Sequence, residues 1–209
     1  MDPRTAREEM VDRLQRHGRI DGAATAAALR AVPRHEFLPD VSLRDAYADR
    51  PLPIGDGQTI SAPHMVARMV DLLEVEAGDR ALEIGTGCGY HAAVTSEVVD
   101  QGVVYSVEYH ASLAAAARER FDRLGYDVRV RHGDGHEGWP EHAPYDAAYL
   151  TCAAASVPDA VVEQVRPGGT VVAPVGTGRQ ELVRLHVESD GVTREHHGAV
   201  RFVSMLGDE

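Results

Sequence analysis

"RALEIGTGCGY", Arg80 to Tyr90, decides how this chain is read. Arg80 to Ile84 has the length and apolar content of a short buried strand. Gly85, Gly87 and Gly89 then form a turn, and the run from Tyr90 to Val99 reads as a helix. The same alternation continues downstream. Val103 to Glu108 is a strand, and Ser112 to Leu124 is a helix with Leu113, Ala117, Phe121 and Leu124 on one face. "VRVRHG" (Val128 to Gly133) is a third strand, "YDAAYLT" (Tyr145 to Thr151) a fourth and Pro158 to Val165 a helix, and "GTVVAPV" (Gly169 to Val175) is a fifth strand after the turn "RPGG". Strands alternating with helices at this spacing predict an α/β fold with a doubly wound, mostly parallel sheet. The tail breaks the alternation. "ELVRLHVES", the turn "DG" and "VTREHHGAVRFVSML" predict a hairpin, so the sheet is expected to end in antiparallel strands.

Upstream of the turn, Asp2 and Pro3 open a helical pattern carried by Ala6, Met10 and Leu14 and stopped by Gly18. A second helix runs from about Gly22 to Val32. Between Pro33 and Gly57 the residues Pro39, Pro51, Pro53 and Gly55 interrupt every period, while Phe37, Leu38, Tyr47, Leu52 and Ile54 argue for a packed segment. Residues 1–209 are expected to form a single domain, with N-terminal helices and a lid segment in 1–60 and a cofactor-binding sheet core in 61–209.

Composition narrows the partners. The chain carries 33 acidic and 21 basic residues, a net charge of -12, and no lysine. Such a surface repels phosphate backbones unless a basic face is assembled locally, which argues against nucleic acid. Cys88 and Cys152 form no metal or redox pair, His132 and His136 flank glycines rather than a helical turn, and no metal site is expected. No apolar run is long enough to span a membrane and the N-terminus has no signal-peptide pattern. A cytoplasmic monomer is the expectation.

In an open parallel sheet, ligands bind beyond the carboxyl ends of the strands where the order of connection reverses. That places the glycine turn at a site, where a residue without Cβ lets backbone approach a ligand. The spacing is G-x-G-x-G rather than the G-x-G-x-x-G of dinucleotide binders, and Glu83 stands two residues before the first glycine. A pyrophosphate would be repelled there, whereas a doubly cationic ligand without phosphate, S-adenosylmethionine, would be attracted. Glu108 ends the second strand, where a carboxylate can accept from ribose hydroxyls, and Asp134 ends the third, positioned for an adenine amino group. Glu83, Gly85, Thr86, Gly87, Gly89, Glu108, Tyr109, Asp134 and Gly135 form the expected cofactor set.

A second stretch, "GQTISAPHMVARMV" (Gly57 to Val70), crowds Ser61, Pro63 and His64 into the entrance of a helix. On those residues alone, Ser61 reads as a helix cap and Pro63 as a first-turn proline.

Taken together, "VPRHEFLP", "PLPIGDGQTISAPHMVARM", "LEIGTGCGY", "HGDGHEGWPEHAPYDAAYLT", "RPGGTVVAPVG" and "AVRFVSML" resemble, in order, the segments of the protein-L-isoaspartate O-methyltransferases. The resemblance implies the Rossmann-like fold of methyltransferases that use S-adenosylmethionine. It also implies methyl transfer to the free carboxylate of L-isoaspartyl residues in damaged peptides and proteins, leaving D-aspartyl residues open as a second substrate. In that family the serine of "TISAP" is the assigned active-site residue, here Ser61, and Thr59, Ile60 and His64 fall with it as expected substrate contacts. The chain departs from the family at Ala155 and Ser204, where proline is usual, and at Tyr149 and Cys152. Two other readings share the fold. A nucleic-acid methyltransferase lacks support, since there is no Asn/Asp-Pro-Pro-aromatic tetrad and no basic run. A non-catalytic binding paralogue would retain the cofactor turn without turnover.

Overall fold

The computed structural model describes residues 2–38 and 40–207, so Pro39 of the segment above lies outside the described residues. Helix α1 (Pro3–Arg16) starts where the Asp2 carboxylate accepts the Thr5 N–H at 3.0 Å, and α2 (Ala23–Ala31) stops one residue before the Val32-Pro33 bond. The segment expected to be irregular contains helix α3 (Leu43–Ala46) and an antiparallel hairpin, β1 (Leu52–Gly55) with β2 (Gln58–Ile60). Its turn has Asp56 at φ 50 and Gly57 at φ 72, the paired positive angles that suit a two-residue hairpin. The Asp-Gly pair between apolar residues is the local signal for it.

The remaining elements are α4 (Pro63–Leu73), β3 (Arg80–Ile84), α5 (Tyr90–Val98), β4 (Val103–Glu108), α6 (Ala111–Leu124), β5 (Val128–His132), β6 (Tyr145–Leu150), α7 (Asp159–Glu163), β7 (Val165–Val175), β8 (Gln180–Val187) and β9 (Val192–Val200). Seven strands pair in the order β5-β4-β3-β6-β7-β8-β9. Strands β3 to β7 are parallel, and β8 and β9 run antiparallel to their neighbours. The chain moves from β3 to β4 and β5, then returns to lay β6 on the other side of β3. The order of connection therefore reverses at β3, and a crevice opens beyond its carboxyl end.

Two boundaries differ from the sequence reading. "RPGG" lies within β7 rather than before it. The pairing of β6 with β7 jumps from Tyr145↔Val165 to Ala147↔Thr170, so Arg166 to Gly169 bulge out of the ladder. The last strand ends at Val200 rather than running on to Leu206. The Gln180 carboxamide accepts the Phe202 N–H at 2.6 Å and donates to the Phe202 carbonyl at 3.0 Å, which ends the ladder and turns the chain away. Residues 203–206 then cross to the end of β6, where Met205 N–H donates to the Ala153 carbonyl at 2.7 Å.

Alternation along the strands sorts the core into two layers. Leu82, Ile84, Val107 and Leu150 pack on one face of the sheet. On the other, Ala81, Val104 and Tyr149 pack with Met10, Leu29, Phe37 and Val94, joining the N-terminal helices to the sheet. Arg34 is fully buried in that layer. Its Nε donates to the Ala46 carbonyl at 2.9 Å and its guanidinium lies 4.8 Å from the Tyr90 ring centroid, tying the N-terminal segment to the first residue of α5.

Candidate active site

Beyond β3 an open cleft encloses about 740 Å³ of non-protein space, within the range of small-ligand sites. Its floor is Gly85 to Cys88, one side is Glu108 to His110, and the opposite side is Gln58 to Ser61 with Ile54 above Gly87. Gly135 and residues 203–206 close the remaining wall.

The glycines are demanded by the protein as much as by any ligand. Gly85 (φ 97) and Gly89 (φ 91) occupy the left-handed region that other residues avoid. A Cβ on Gly85 would sit 2.4 Å from Thr151 Oγ1, and one on Gly89 would sit 2.5 Å from Phe121 Cζ. The turn is thus wedged between the end of β6 and α6, which fixes the N-terminus of α5.

The three strand-end carboxylates do not share one environment. Glu108 lines the cleft, and its two oxygens accept Gly87 N–H at 2.8 Å and His110 N–H at 2.9 Å. It clamps the glycine turn while its remaining lone pairs face the cavity. Asp134 is not part of the lining. Its Oδ1 accepts the backbone N–H of His136 at 2.9 Å and lies 2.8 Å from His136 Nδ1, capping a turn, while its neighbour Gly135 reaches the wall. Glu83 is also absent from the wall. It points to the α5 side of the sheet, fully buried beneath the turn, and the Ser106 hydroxyl donates to its Oε2 at 2.5 Å. Burial pushes its carboxyl up to about 8, against the lowering effect of the Ser106 bond and with a smaller push from Glu108. Tyr109, 48% exposed, presents its ring at the rim of the cleft.

A second cavity of about 890 Å³ opens on the other side of Ser61, walled by Pro51, His64, Met65, Arg201 and Phe202. Thr59, Ser61 and Thr151 line both cavities and form the junction between them, whereas Ile60 lines the first only.

Ser61 is not the cap of α4. The cap position is Ala62, with no side-chain hydrogen bond, and Pro63 takes the first turn. Capping is done from a distance: Asp49 Oδ1 accepts the His64 N–H at 3.0 Å and lies 2.8 Å from His64 Nδ1. Among the described residues no hydrogen bond reaches the Ser61 hydroxyl, so it is available to a ligand at the junction.

The departures from the family pattern fall in different places. Ser204 and Cys152 line the cofactor cavity, burial pushing the Cys152 thiol up to about 12; Tyr149 is buried beneath it, and Ala155 lines neither cavity. Thr151, whose hydroxyl donates to the Gly85 carbonyl at 2.5 Å, and Asp49 were not singled out by sequence reasoning. Their only signals were a hydroxyl at the end of the fourth strand and an acid before "RPLPIG".

Residues 5–209 match the family model described as Protein-L-isoaspartate(D-aspartate) O-methyltransferase. Among curated proteins, Protein-L-isoaspartate O-methyltransferase 2 of Archaeoglobus fulgidus is 47% identical over 100% of this chain and 96% of its own length. The Protein-L-isoaspartate O-methyltransferase of Methanopyrus kandleri is 49% identical over 99% of this chain and 93% of its own. A solved protein-L-isoaspartate O-methyltransferase superposes with a TM-score of 0.90 at 33% identity, covering 96% of this chain and 66% of that one. A Plasmodium falciparum structure, described as a putative protein-L-isoaspartate O-methyltransferase in complex with S-adenosyl-L-homocysteine, shares the fold with a TM-score of 0.83 at 23% identity over 96% of this chain and 98% of that one.

Proposed function

This chain belongs to the protein-L-isoaspartate(D-aspartate) O-methyltransferase family, and from that premise we propose that it transfers the methyl group of S-adenosylmethionine to the free carboxylate of L-isoaspartyl residues in damaged proteins. The observation that carries the reading is the junction. Two cavities, one with the glycine turn and Glu108 and one open to solvent beside His64 and Arg201, meet at Thr59, Ser61 and Thr151.

The residues present fit the cofactor. The glycine turn and Thr86 form a floor for its methionine end, Glu108 supplies acceptors for ribose hydroxyls, Tyr109 supplies an aromatic face, and no arginine in the lining awaits a phosphate. Bound there, S-adenosylmethionine supplies an electrophilic methyl on a sulfonium.

The protein's part is to deliver the acceptor. A substrate carboxylate with an ordinary pKa of about 4 is already ionised at neutral pH, so no general base is required. The Ser61 hydroxyl donates to one carboxylate oxygen and turns the other toward the cofactor side. The positive end of α4, just behind Ser61, favours the same charge. Thr59 and Ile60 hold the hairpin strand against the junction, and His64, oriented by Asp49, faces the peptide. A charge-assisted hydrogen bond contributes about 1.5 to 3 kcal/mol, whereas fixing two reactants in line can remove roughly 7 to 11 kcal/mol of barrier. Positioning therefore outweighs any single contact. The product ester collapses to a succinimide, which reopens in part as normal aspartate.

Residues 1–209 act as one methyltransferase domain in which 1–60 form the lid over the cofactor. The protein works as a cytoplasmic monomer with isoaspartyl peptides and proteins as its partners. In support, one chain supplies both cavities, the net charge is -12, and no helix among the described residues is long and apolar enough to cross a membrane.

Labelled cofactor tests the reading. Methyl is expected to appear on an isoaspartyl peptide and not on its aspartyl twin or on RNA. Transfer to RNA alone would favour the nucleic-acid reading, and cofactor binding without transfer to any acceptor the non-catalytic one.

A further inference from the structure

Beneath the glycine turn lies a polar cluster that positioning of the acceptor does not use. Glu83 pairs in register with Ser106 of β4 and Tyr149 of β6 and is fully buried. Its Oε1 makes no hydrogen bond; the Tyr149 hydroxyl is close, but the pair falls short of hydrogen-bond geometry. The groups around it are Ser106 and Glu108 from β4, Tyr149 from β6, Cys88 from the turn and Cys152 beyond β6, with Thr86 behind Ser106 and His91 and Thr95 of α5 against Tyr149. None of these is a cation. Both ring nitrogens of His91 lack hydrogen bonds, and burial holds that ring neutral, down to about 3. Among the described residues no arginine forms an ion pair with Glu83. An ionised carboxylate in such a place would be an uncompensated buried charge, so a carboxyl there keeps its proton until a cation arrives.

The junction fixes where that cation arrives. On the methyl-transfer reading a sulfonium would be presented at the junction of Thr59, Ser61 and Thr151, and the Thr151 hydroxyl is bonded to the Gly85 carbonyl, two positions along the chain from Glu83. The path for a proton is also present. Thr86 lines the cavity and its hydroxyl lies 2.5 Å from the Ser106 hydroxyl, which lies 2.5 Å from Glu83 Oε2.

We propose that Glu83 releases its proton when the sulfonium cofactor binds and recovers it when the thioether product replaces that cofactor, so that cofactor exchange is coupled to one proton. The inference rests on the methyl-transfer reading for the identity of the ligand. In the step the O–H bond of the Glu83 carboxyl breaks and its electron pair stays on the carboxylate. The acid proton is presented at Oε2 when the Ser106 hydroxyl turns from donor to acceptor there; Ser106 and Thr86 then each accept one proton and pass one on, ending unchanged, and the proton leaves to solvent buffer. Methyl transfer then removes the sulfonium charge. The ammonium is common to donor and product, so this lost charge is what separates them. Glu83, stripped of its counter-ion, is reprotonated from solvent as the product is held, which weakens product binding relative to donor.

Calorimetric titration of the full chain at pH 7 in phosphate and in Tris, two buffers of different ionisation heat, reads the protons released per site. S-adenosylmethionine is expected to release close to one proton more than S-adenosylhomocysteine. The ratio of their affinities should rise by up to about tenfold per pH unit as pH increases toward about 8, and level off above it. In Glu83→Gln both differences should vanish; their persistence would overturn the proposal. If that variant does not fold, the infrared carbonyl band of a protonated buried carboxyl in the native protein decides. It should disappear with S-adenosylmethionine and persist with S-adenosylhomocysteine. Equal proton release by the two ligands overturns the coupling and leaves methyl transfer standing, whereas a folded protein that binds neither ligand overturns the functional reading itself.

Discussion

Where the cavity beyond β3 is walled by the ends of β3, β4 and β6 and by a glycine turn wedged against Thr151 and Phe121, the second cavity, the one proposed for the peptide, is walled by Pro51, the first turn of α4 and the chain just after β9. In the first, a central β strand and its two neighbours set the geometry. In the second, residues more than a hundred positions apart, from Pro51 to Phe202, meet only because the fold brings them together. The cofactor side carries the invariant chemistry of a small ligand on parts that are costly to alter. The second cavity is built from loop and terminal segments, the parts of a fold that tolerate change.

The sharpest test of the first half is to put the same change into the wedged glycine turn and into the open turn of the β1-β2 hairpin, where Gly57 lines neither cavity. Gly85→Ala forces a Cβ to within 2.4 Å of Thr151 Oγ1 at a φ of 97. It is expected to destabilise the protein by about 3 kcal/mol or more and to abolish measurable cofactor binding. Gly57→Ala, also at positive φ (72) but with nothing within 4 Å, should cost about 1 kcal/mol and leave cofactor binding intact. Thermal melts and calorimetry check both, and equal losses would remove the distinction.

A smaller effect tests the buried layer under the turn. Glu83 is raised from 4.5 to about 8, so the stability it contributes is fully present below about 4.5 and lost as pH climbs to about 8. The slope can reach about 1.4 kcal/mol per pH unit. His91 is lowered from 6.5 to about 3, so its contribution is present above 6.5 and lost as pH falls to about 3. The two oppose each other between about 4.5 and 6.5, and above 6.5 Glu83 acts alone. Glu83→Gln should therefore flatten the decline in cofactor-free stability between pH 6.5 and 8, measured by urea unfolding.

Much of this was legible in the chain. Apolar runs of strand length, a glycine turn and a cap such as Asp2 are local, and the parallel sheet and its reversal at β3 follow from their order. The glycine turn was visible, but not that protein atoms demand two of its glycines. Three carboxylates at strand ends were visible too, yet only Glu108 reaches the cavity. The pleat turns Glu83 under the turn, and a local cap takes Asp134. Ser61 reads as a cap because Asp49, which does the capping, lies fifteen positions before His64, whose N–H it accepts. Residues 203–206 looked like more strand because nothing local marks the point where Gln180 ends the ladder.

Weaker effects sharpen the comparison further. Tyr109→Ala removes an exposed ring at the cofactor rim and should weaken cofactor binding about tenfold, roughly 1.4 kcal/mol, without changing the melting temperature. Arg201→Glu, on the exposed rim of the peptide cavity, should raise KM severalfold for peptides with acidic flanking residues and leave kcat unchanged, an effect that salt diminishes.

The junction between the cavities is tested most directly by Ser61→Ala, with cofactor affinity and single-turnover methyl transfer to an isoaspartyl peptide measured on the same preparation. If Ser61 holds the acceptor, affinity stays within about twofold of the native protein while the transfer rate falls by roughly a hundredfold. An unchanged rate at unchanged affinity would show that the acceptor is held elsewhere and that the methyl does not pass beside Ser61.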